Sequence, residues 1–367
     1  MMQLRELIAH LERIAPASYQ EPYDNSGLIV GDPTQEVKQA LISLDCTEAV
    51  IDEAIRAGCD LVISHHPIVF KGLKRFTGGS YVERVVMKAI RHGIALYAIH
   101  TNLDNVREGV NAMIAKRLGL KNTAILDPKK GLLRKLVVFV PEEHAEQLRD
   151  ALFAGGAGHI GDYDECSYNT AGYGTFRAGA SANPFVGEKG NRHREPETRI
   201  EVIFPAHRER QVVLSLMESH PYEVPAYDIY TIDNAHEQVG SGMTGFLEIP
   251  MEEREFLERL RKALGAQVIR HTALRGKMVH KVAVCGGAGG FLLGKAIAAG
   301  ADFFVTADYK YHEFFDADGK IVIADPGHFE SEQFTSDLLL EIITKKFPNF
   351  AIRLAETNTN PVNYYYS

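Results

Sequence analysis

Asp60-Leu61-Val62-Ile63-Ser64-His65-His66-Pro67 (DLVISHHP, residues 60–67) begins as an apolar run and stops on two histidines and a proline. A short unbroken apolar run fits a strand buried on both faces. Pro67 lacks a backbone N–H and ends the strand there. The same rhythm continues on either side. QALISLD (39–45) reads as a strand, and TEAVIDEAIRAG (47–58) has helical spacing with Gly58 as its stop. YVERVVMKAIRHG (81–93) is helical, IALYAIH (94–100) a strand and NVREGVNAMIAKRLG (105–119) a helix. Strands separated by helices of this length pair in parallel and build a layered α/β sheet.

The rhythm breaks at TAILDPKKG (123–131). A strand at KLVVFVP (135–141), a helix, two β-type stretches around CSYNTAGYGTFRAG and TRIEVIFP (198–205), a second helix and a strand at AYDIYTI (226–232) follow. The order β-α-β-β-α-β is that of a ferredoxin-like unit. Within it, ANPFVGEKGNRHREPE (182–197) is polar and glycine-rich and reads as a long mobile loop. From about residue 240 the α/β rhythm returns, with strands at KVAVCG (281–286), DFFVTAD (302–308) and KIVIADPGH (320–328), a helix over FESEQFTSDLLLEIITKKF and a last strand at AIRLAE (351–356). The expected fold is a layered α/β core, residues 1–125 and 240–367, split by an inserted ferredoxin-like α+β domain at 132–233. Three serial domains are the alternative; the return of one pattern favours insertion.

The 367 residues carry 40 basic and 48 acidic side chains, a net charge of −8, which argues against a nucleic-acid partner. Cys46, Cys59, Cys166 and Cys285 form no CxxC pair, so a thiolate zinc site is not suggested. Lone cysteines and a charged amphipathic N-terminus (MMQLRELIAHLERIAP) fit a cytoplasmic protein, and no stretch approaches the apolar length of a membrane span.

Chemistry gathers at strand ends, where open α/β sheets bind ligands. His65 and His66 can converge on one ligand only because the strand stops there; a pair of hydrogen-bonded end caps is the plainer reading. IALYAIHTNLDN places His100, Thr101, Asn102 and Asp104 after a second strand, with a helix-capping turn as the alternative. KIVIAD leads into Pro326-Gly327-His328, and His328 and Glu332, spaced i, i+4, share one helix face. Alone, that pair reads as an ordinary helix start. Taken together, His65, His66, Asp104, His328 and Glu332 exceed what one catalytic ion with open positions takes. They fit two ions, and an imidazole–carboxylate set suits zinc, iron or manganese better than calcium or magnesium. A fourth strand end, VTADYKYHEF, offers Thr306, Asp308, Lys310 and His312 as groups beside the metals, or as a solvated helix start.

Two glycine-rich readings fail narrowly. In AVCGGAGGFLLGKA the dinucleotide pattern meets Leu292 at its third glycine, and the P-loop pattern meets Ala296 where a hydroxyl belongs. A tight Gly286–Gly290 turn that still offers N–H groups to a phosphate is the better reading. EPYDNSGLIVGD (21–32) is a turn before a strand that could line a cleft.

DNSGLIVGD, SHHP, HTNLD, VAVCGGAGG, TADYKYHE and GHFESE, in this order, resemble the dinuclear-metal, hexameric family known as GTP cyclohydrolase 1 type 2, or NIF-three-like, over about 1–125 and 240–367. The resemblance implies that His65, His66, Asp104, His328 and Glu332 are the metal ligands. The family's T-G-D reads Thr306-Ala307-Asp308 here. The block at about 132–233 is similar to PII-like or CutA-like inserts, which implies a trimerising unit on a homohexamer. Two divalent ions per subunit are expected, zinc first, then iron or manganese. The expected activity is metal-dependent hydrolysis of a nucleotide or related phosphorylated heterocycle, GTP cyclohydrolase-like, with His100, Asp308 and His312 in proton transfer or substrate contact. The other reading is a non-catalytic, metal-holding scaffold whose insert senses a small molecule. An oxidoreductase built on GGAGG is a distant third.

Overall fold

A computed structural model of the chain describes residues 2–365. It divides into two compact units, Met1–Pro128 with Gln238–Ser367, and Lys129–Glu237.

The first unit holds two larger sheets. In one, the strands run in the order Ala351–Leu354, Gln39–Ser43, Leu61–Ser64, Ala95–Ala98, Gly27–Val30. The first four are mutually parallel and Gly27–Val30 closes the edge antiparallel. The helix Glu48–Ala57 starts on Thr47, whose side chain accepts the Val50 N–H, and stops at left-handed Gly58. It turns Val50, Ile51 and Ala54 onto Leu41 and Val62, and the helix Tyr81–Arg91 adds Val85 and Ala89. Each valine, leucine or isoleucine among them contributes about 1.5–3 kcal/mol on burial.

The other sheet runs Arg270–His271, Val322–Asp325, Phe303–Val305, Met278–Val284, His236–Glu252, Leu120–Lys129. Its three middle strands, Val322–Asp325, Phe303–Val305 and Met278–Val284, are parallel. Leu120–Lys129 includes most of the stretch read from sequence as a break in the rhythm. It is an edge strand, where Pro128 withholds an N–H that no inner ladder requires.

The second unit is a four-stranded antiparallel sheet in the order Tyr227–Ile232, Leu133–Pro141, Arg192–Pro205, Tyr168–Arg177. Alternate residues Leu136, Val138, Val140 and Ile200, Val202, Phe204 face helices Ala145–Ala154 and Glu209–Ser219 through Leu148, Leu152, Val212 and Leu216. The expected loop over 182–197 is shorter. Residues from Arg192 onward pair with Tyr168–Arg177 in a ten-residue ladder.

Two expected helices are broken. Residues 105–119 hold a helix only over Val110–Leu118: Gly109 is extended, and the position admits only glycine because a Cβ there would collide with the Leu103 carbonyl. The helix after Gly327 is interrupted into His328–Glu332 and Thr335–Lys346. Among the described residues, no helix is long and apolar enough to cross a membrane.

Candidate metal centre

Three parallel strands of the five-stranded sheet end in register, with Ser43 opposite Ser64 and Ser64 opposite Ala98. The ladder runs on briefly: the His66 N–H donates to Leu44 and the Ile99 N–H to Ser64. The next residues, Asp45, His65, His66 and His100, therefore stand side by side. The six-stranded sheet delivers Asp308 and His328 from its own parallel strand ends.

Glu332 Oε2 is the hub. It lies 2.9 Å from His66 Nε2, 3.0 Å from His328 Nε2 and 3.8 Å from His65 Nε2. Asp104 Oδ1 is 3.5 Å from His65 Nε2. Each imidazole is aimed by a partner at Nδ1: Ile99 O for His65, Asp45 for His66, Asp308 for His328 and Asp24 for His100, at 2.7–2.8 Å. Partners of this kind set the tautomer and the ring orientation of metal-binding histidines.

Burial pushes His65 down to about 3, against the pull of the Glu332 charge. Burial acts the same way on His66 and His328, but their carboxylate partners outweigh it and hold them at about 9 and about 11. Burial and the neighbouring Glu332 charge push Asp104 well above the usual carboxylate range. Glu332 is held well below that range, because its hydrogen bonds to His328 and His66 overcome its burial.

The donor set fits a metal. His65 Nε2 and Asp104 Oδ1 are both buried and without a hydrogen-bond partner. Nδ1 of His65 donates to Ile99, so Nε2 is a bare acceptor. Two orphaned acceptors pointing at one spot beside a third, Glu332 Oε2, are satisfied together by a cation. The sets His65–Asp104–Glu332, His66–His328–Glu332 and His65–His66–His100 each bring three ligand atoms within 4.8 Å of one another.

The structure thus brings His65, His66, Asp104, His328 and Glu332 together, with His100 against them at ring distances of 5.2 and 5.3 Å from His65 and His66. Asp308 touches the cluster through His328; its positive φ of 59° is a strained backbone that an Asp tolerates. His312 is not brought in. It is exposed, its ring lies against Tyr311 and Phe315, and it does not line the cavity.

The Gly286–Gly290 turn also differs from its expected role. The N–H groups of Gly286, Gly287 and Gly289 already donate to Asn111, Ser331 and Thr306, so three of the turn's five amides are committed within the protein. Its glycine serves close approach instead: a Cβ on Gly287 would strike Glu332 Oε1.

Sequence reasoning passed over Asp45 and left Asp24 undecided. Asp24 accepts the Thr101 N–H and hydroxyl and pairs with His100. These bonds hold its carboxyl well below the usual range despite its burial. The cluster opens into a cavity of about 920 Å³ with aromatic walls that include Tyr23, Phe70, Tyr81 and Phe291.

Known proteins share this arrangement of chain. The sequence model of the Duf34/NIF3 (NGG1p interacting factor 3) family matches residues 2–361. A Halalkalibacterium halodurans protein named GTP cyclohydrolase 1 type 2 homolog is 38% identical over 364 residues, 98% of each chain. A Bacillus subtilis protein of the same name is 38% identical over 366 residues, again 98% of each. The crystal structure of a Bacillus cereus protein related to NIF3 superposes with a TM-score of 0.85 at 37% identity, covering 99% of both chains. From residue 2 to residue 361, then, the chain belongs to the Duf34/NIF3 family.

Proposed function

We propose that the protein is a metal-dependent hydrolase holding two divalent ions, zinc first and iron or manganese next, that acts on a nucleotide or related heterocycle. One observation carries the reading. Glu332 Oε2 is shared between a His66–His328 pair and the orphaned His65–Asp104 pair. His65, Asp104 and Glu332 would hold one ion, and His66, His328 and Glu332 the other. Divalent ions in such a set supply Lewis acidity, lowering the pKa of water and polarising the bond under attack.

The chain's own residues do the rest. Asp45 and Asp308 fix the faces that His66 and His328 present. The His100–Asp24 pair stands beside the cluster with an oriented ring, suited to take and return a proton. Asp308 acts through His328, and His312 has no part.

The relatives' name supports a cyclohydrolase-type reaction on GTP as the first to try. The family resemblance supports a homohexamer. The strand order fourth–first–third–second supports a ferredoxin-like second unit, and the resemblance of that block to PII-like or CutA-like inserts supports a trimerising role. Four free cysteines, three of them buried, support a cytoplasmic setting.

A second reading, small-molecule sensing by the second unit, has an observation of its own. That unit holds a cavity of about 630 Å³ walled by Phe176, Phe185 and Tyr222, and in it a buried Glu197 accepts the Tyr222 hydroxyl at 2.8 Å.

Elemental analysis of protein purified without chelator should give about two ions per chain. Turnover should vanish on chelation and in Asp104→Ala. A ratio near zero, or unchanged turnover in that variant, removes the hydrolase reading. Nucleotides that raise the melting temperature without being turned over favour the sensor.

A further inference from the structure

The large cavity has an unusual charge balance for a site meant to hold a nucleotide's phosphates. Among the described residues, its walls carry Glu21, Asp45, Asp104, Asp308, Asp325, Glu330 and Glu332, but no lysine and one arginine, Arg270. Arg270 is already bonded to Asp325. The three histidines on the wall, His66, His100 and His328, each face a carboxylate. Polyphosphate chains are recognised by arginine forks, lysines or runs of free backbone N–H groups. The turn best placed to offer such N–H groups has given three of them to Asn111, Ser331 and Thr306. Two divalent ions at the cluster would be matched by Asp104, Glu332, Asp45 and Asp308. They could meet one anionic group, and nothing else in the wall would neutralise a chain of them.

The uncharged wall tells the other half. Tyr23, Phe70, Tyr81 and Phe291 all line the cavity and are all exposed, Phe291 to 70%. Large aromatic faces left open to water beside a polar cluster are characteristic of a ligand that stacks.

We infer that the cavity takes a planar heteroaromatic molecule that is neutral or carries a single anionic group, stacked on these rings with its polar edge toward the cluster, and that it rejects a polyphosphate chain. The inference rests on the metal-centre reading and narrows its substrate class from nucleotides at large to bases, nucleosides and their monophosphates, which sets aside the GTP that the relatives' name suggests.

The test uses full-length zinc-loaded protein, its metal content measured on the same samples, titrated calorimetrically with guanosine, GMP and GTP in excess free magnesium. Guanosine or GMP should bind, with GTP at least about fivefold weaker than GMP and little dependence on salt. Phe291→Ala and Phe70→Ala, at exposed positions that leave the core intact, should each weaken guanosine or GMP binding about tenfold. Three results overturn the inference: GTP bound within fivefold of GMP or tighter, no binding of any of the three, or aromatic variants that leave binding untouched, whether or not they change the oligomeric state. If two ions per chain persist in those cases, the metal centre stands and only the substrate class fails.

Discussion

Thr359 donates its hydroxyl to Asp45 Oδ2 at 2.6 Å, and the other oxygen of that carboxylate holds His66 Nδ1 at 2.7 Å. The C-terminal segment thereby reaches the metal centre through one carboxylate. Partners behind a metal-binding histidine are worth about 10- to 100-fold in metal affinity. Asp45→Asn is expected to weaken zinc binding within that range, and Thr359→Val by about tenfold. The double variant should bind no worse than Asp45→Asn, because both changes cut one chain of contacts. Competition with a chromogenic chelator measures all three; fully additive losses would show that Thr359 acts by another route.

Asp104 sets function against stability. Without metal it is a carboxyl group with a buried, unpaired oxygen, costly to ionise beside the charge of Glu332. Asp104→Asn should leave the metal-free protein as stable as wild type or more so, by about 1–3 kcal/mol. Zinc should raise the melting temperature of wild type and not of the variant. A variant that is less stable without metal, or still stabilised by zinc, contradicts this account.

Gly287 sits at φ +59° with Glu332 where its Cβ would be. Gly287→Ala should cost about 1–3 kcal/mol in denaturant melts, from the strained backbone and the displaced carboxylate. The same variant should lose metal affinity. Undiminished zinc affinity would mean that Glu332 can move aside freely.

Glu53 anchors the same C-terminal segment. Its carboxylate accepts the N–H groups of Glu356 and Thr357 and the Thr357 hydroxyl. Burial raises its pKa, but these bonds outweigh burial and leave it depressed from 4.5. A depressed carboxyl contributes stability that is present above its unfolded value and lost as pH falls through its folded one. Hydrogen exchange across residues 356–364 should therefore speed up as pH drops below 4.5, beyond the intrinsic change in exchange rate. Glu53→Gln should exchange fast already at neutral pH. Equal protection in the variant and wild type at pH 7 would remove Glu53 as the anchor.

The fold and the centre were unequally legible. His65, His66, Asp104, His328 and Glu332 could be collected because each follows an apolar run, and strand ends are where parallel sheets gather side chains. Asp45 follows such a run too, but a single acid after a strand has no signature. Only the pairing of Ser43 with Ser64 puts it opposite His66. The strand at Leu120–Lys129 was hidden by Pro128, harmless only because the strand lies on an edge that no local pattern announces. The break at Gly109 is an extended residue packed so closely on the Leu103 carbonyl that only glycine fits, a fact of three dimensions. The GGAGG turn misled for a related reason: its amides looked free because Asn111, Ser331 and Thr306, far off in sequence, were not seen to claim them.

The unit that holds the centre is written in two pieces, and the order of synthesis follows from that. His65, His66 and Asp104 leave the ribosome long before His328 and Glu332, with the whole of Lys129–Glu237 made in between. At about 5–20 residues per second the first three side chains of the cluster wait tens of seconds for the last two. During that interval the inserted unit, whose strands and core all lie within its own stretch, has everything it needs to fold. The five-stranded sheet does not: its outer parallel strand, Ala351–Leu354, is made last. A nascent chain can therefore carry a complete insert within an incomplete host, and the five side chains of the cluster can meet only after His328 and Glu332 have been made.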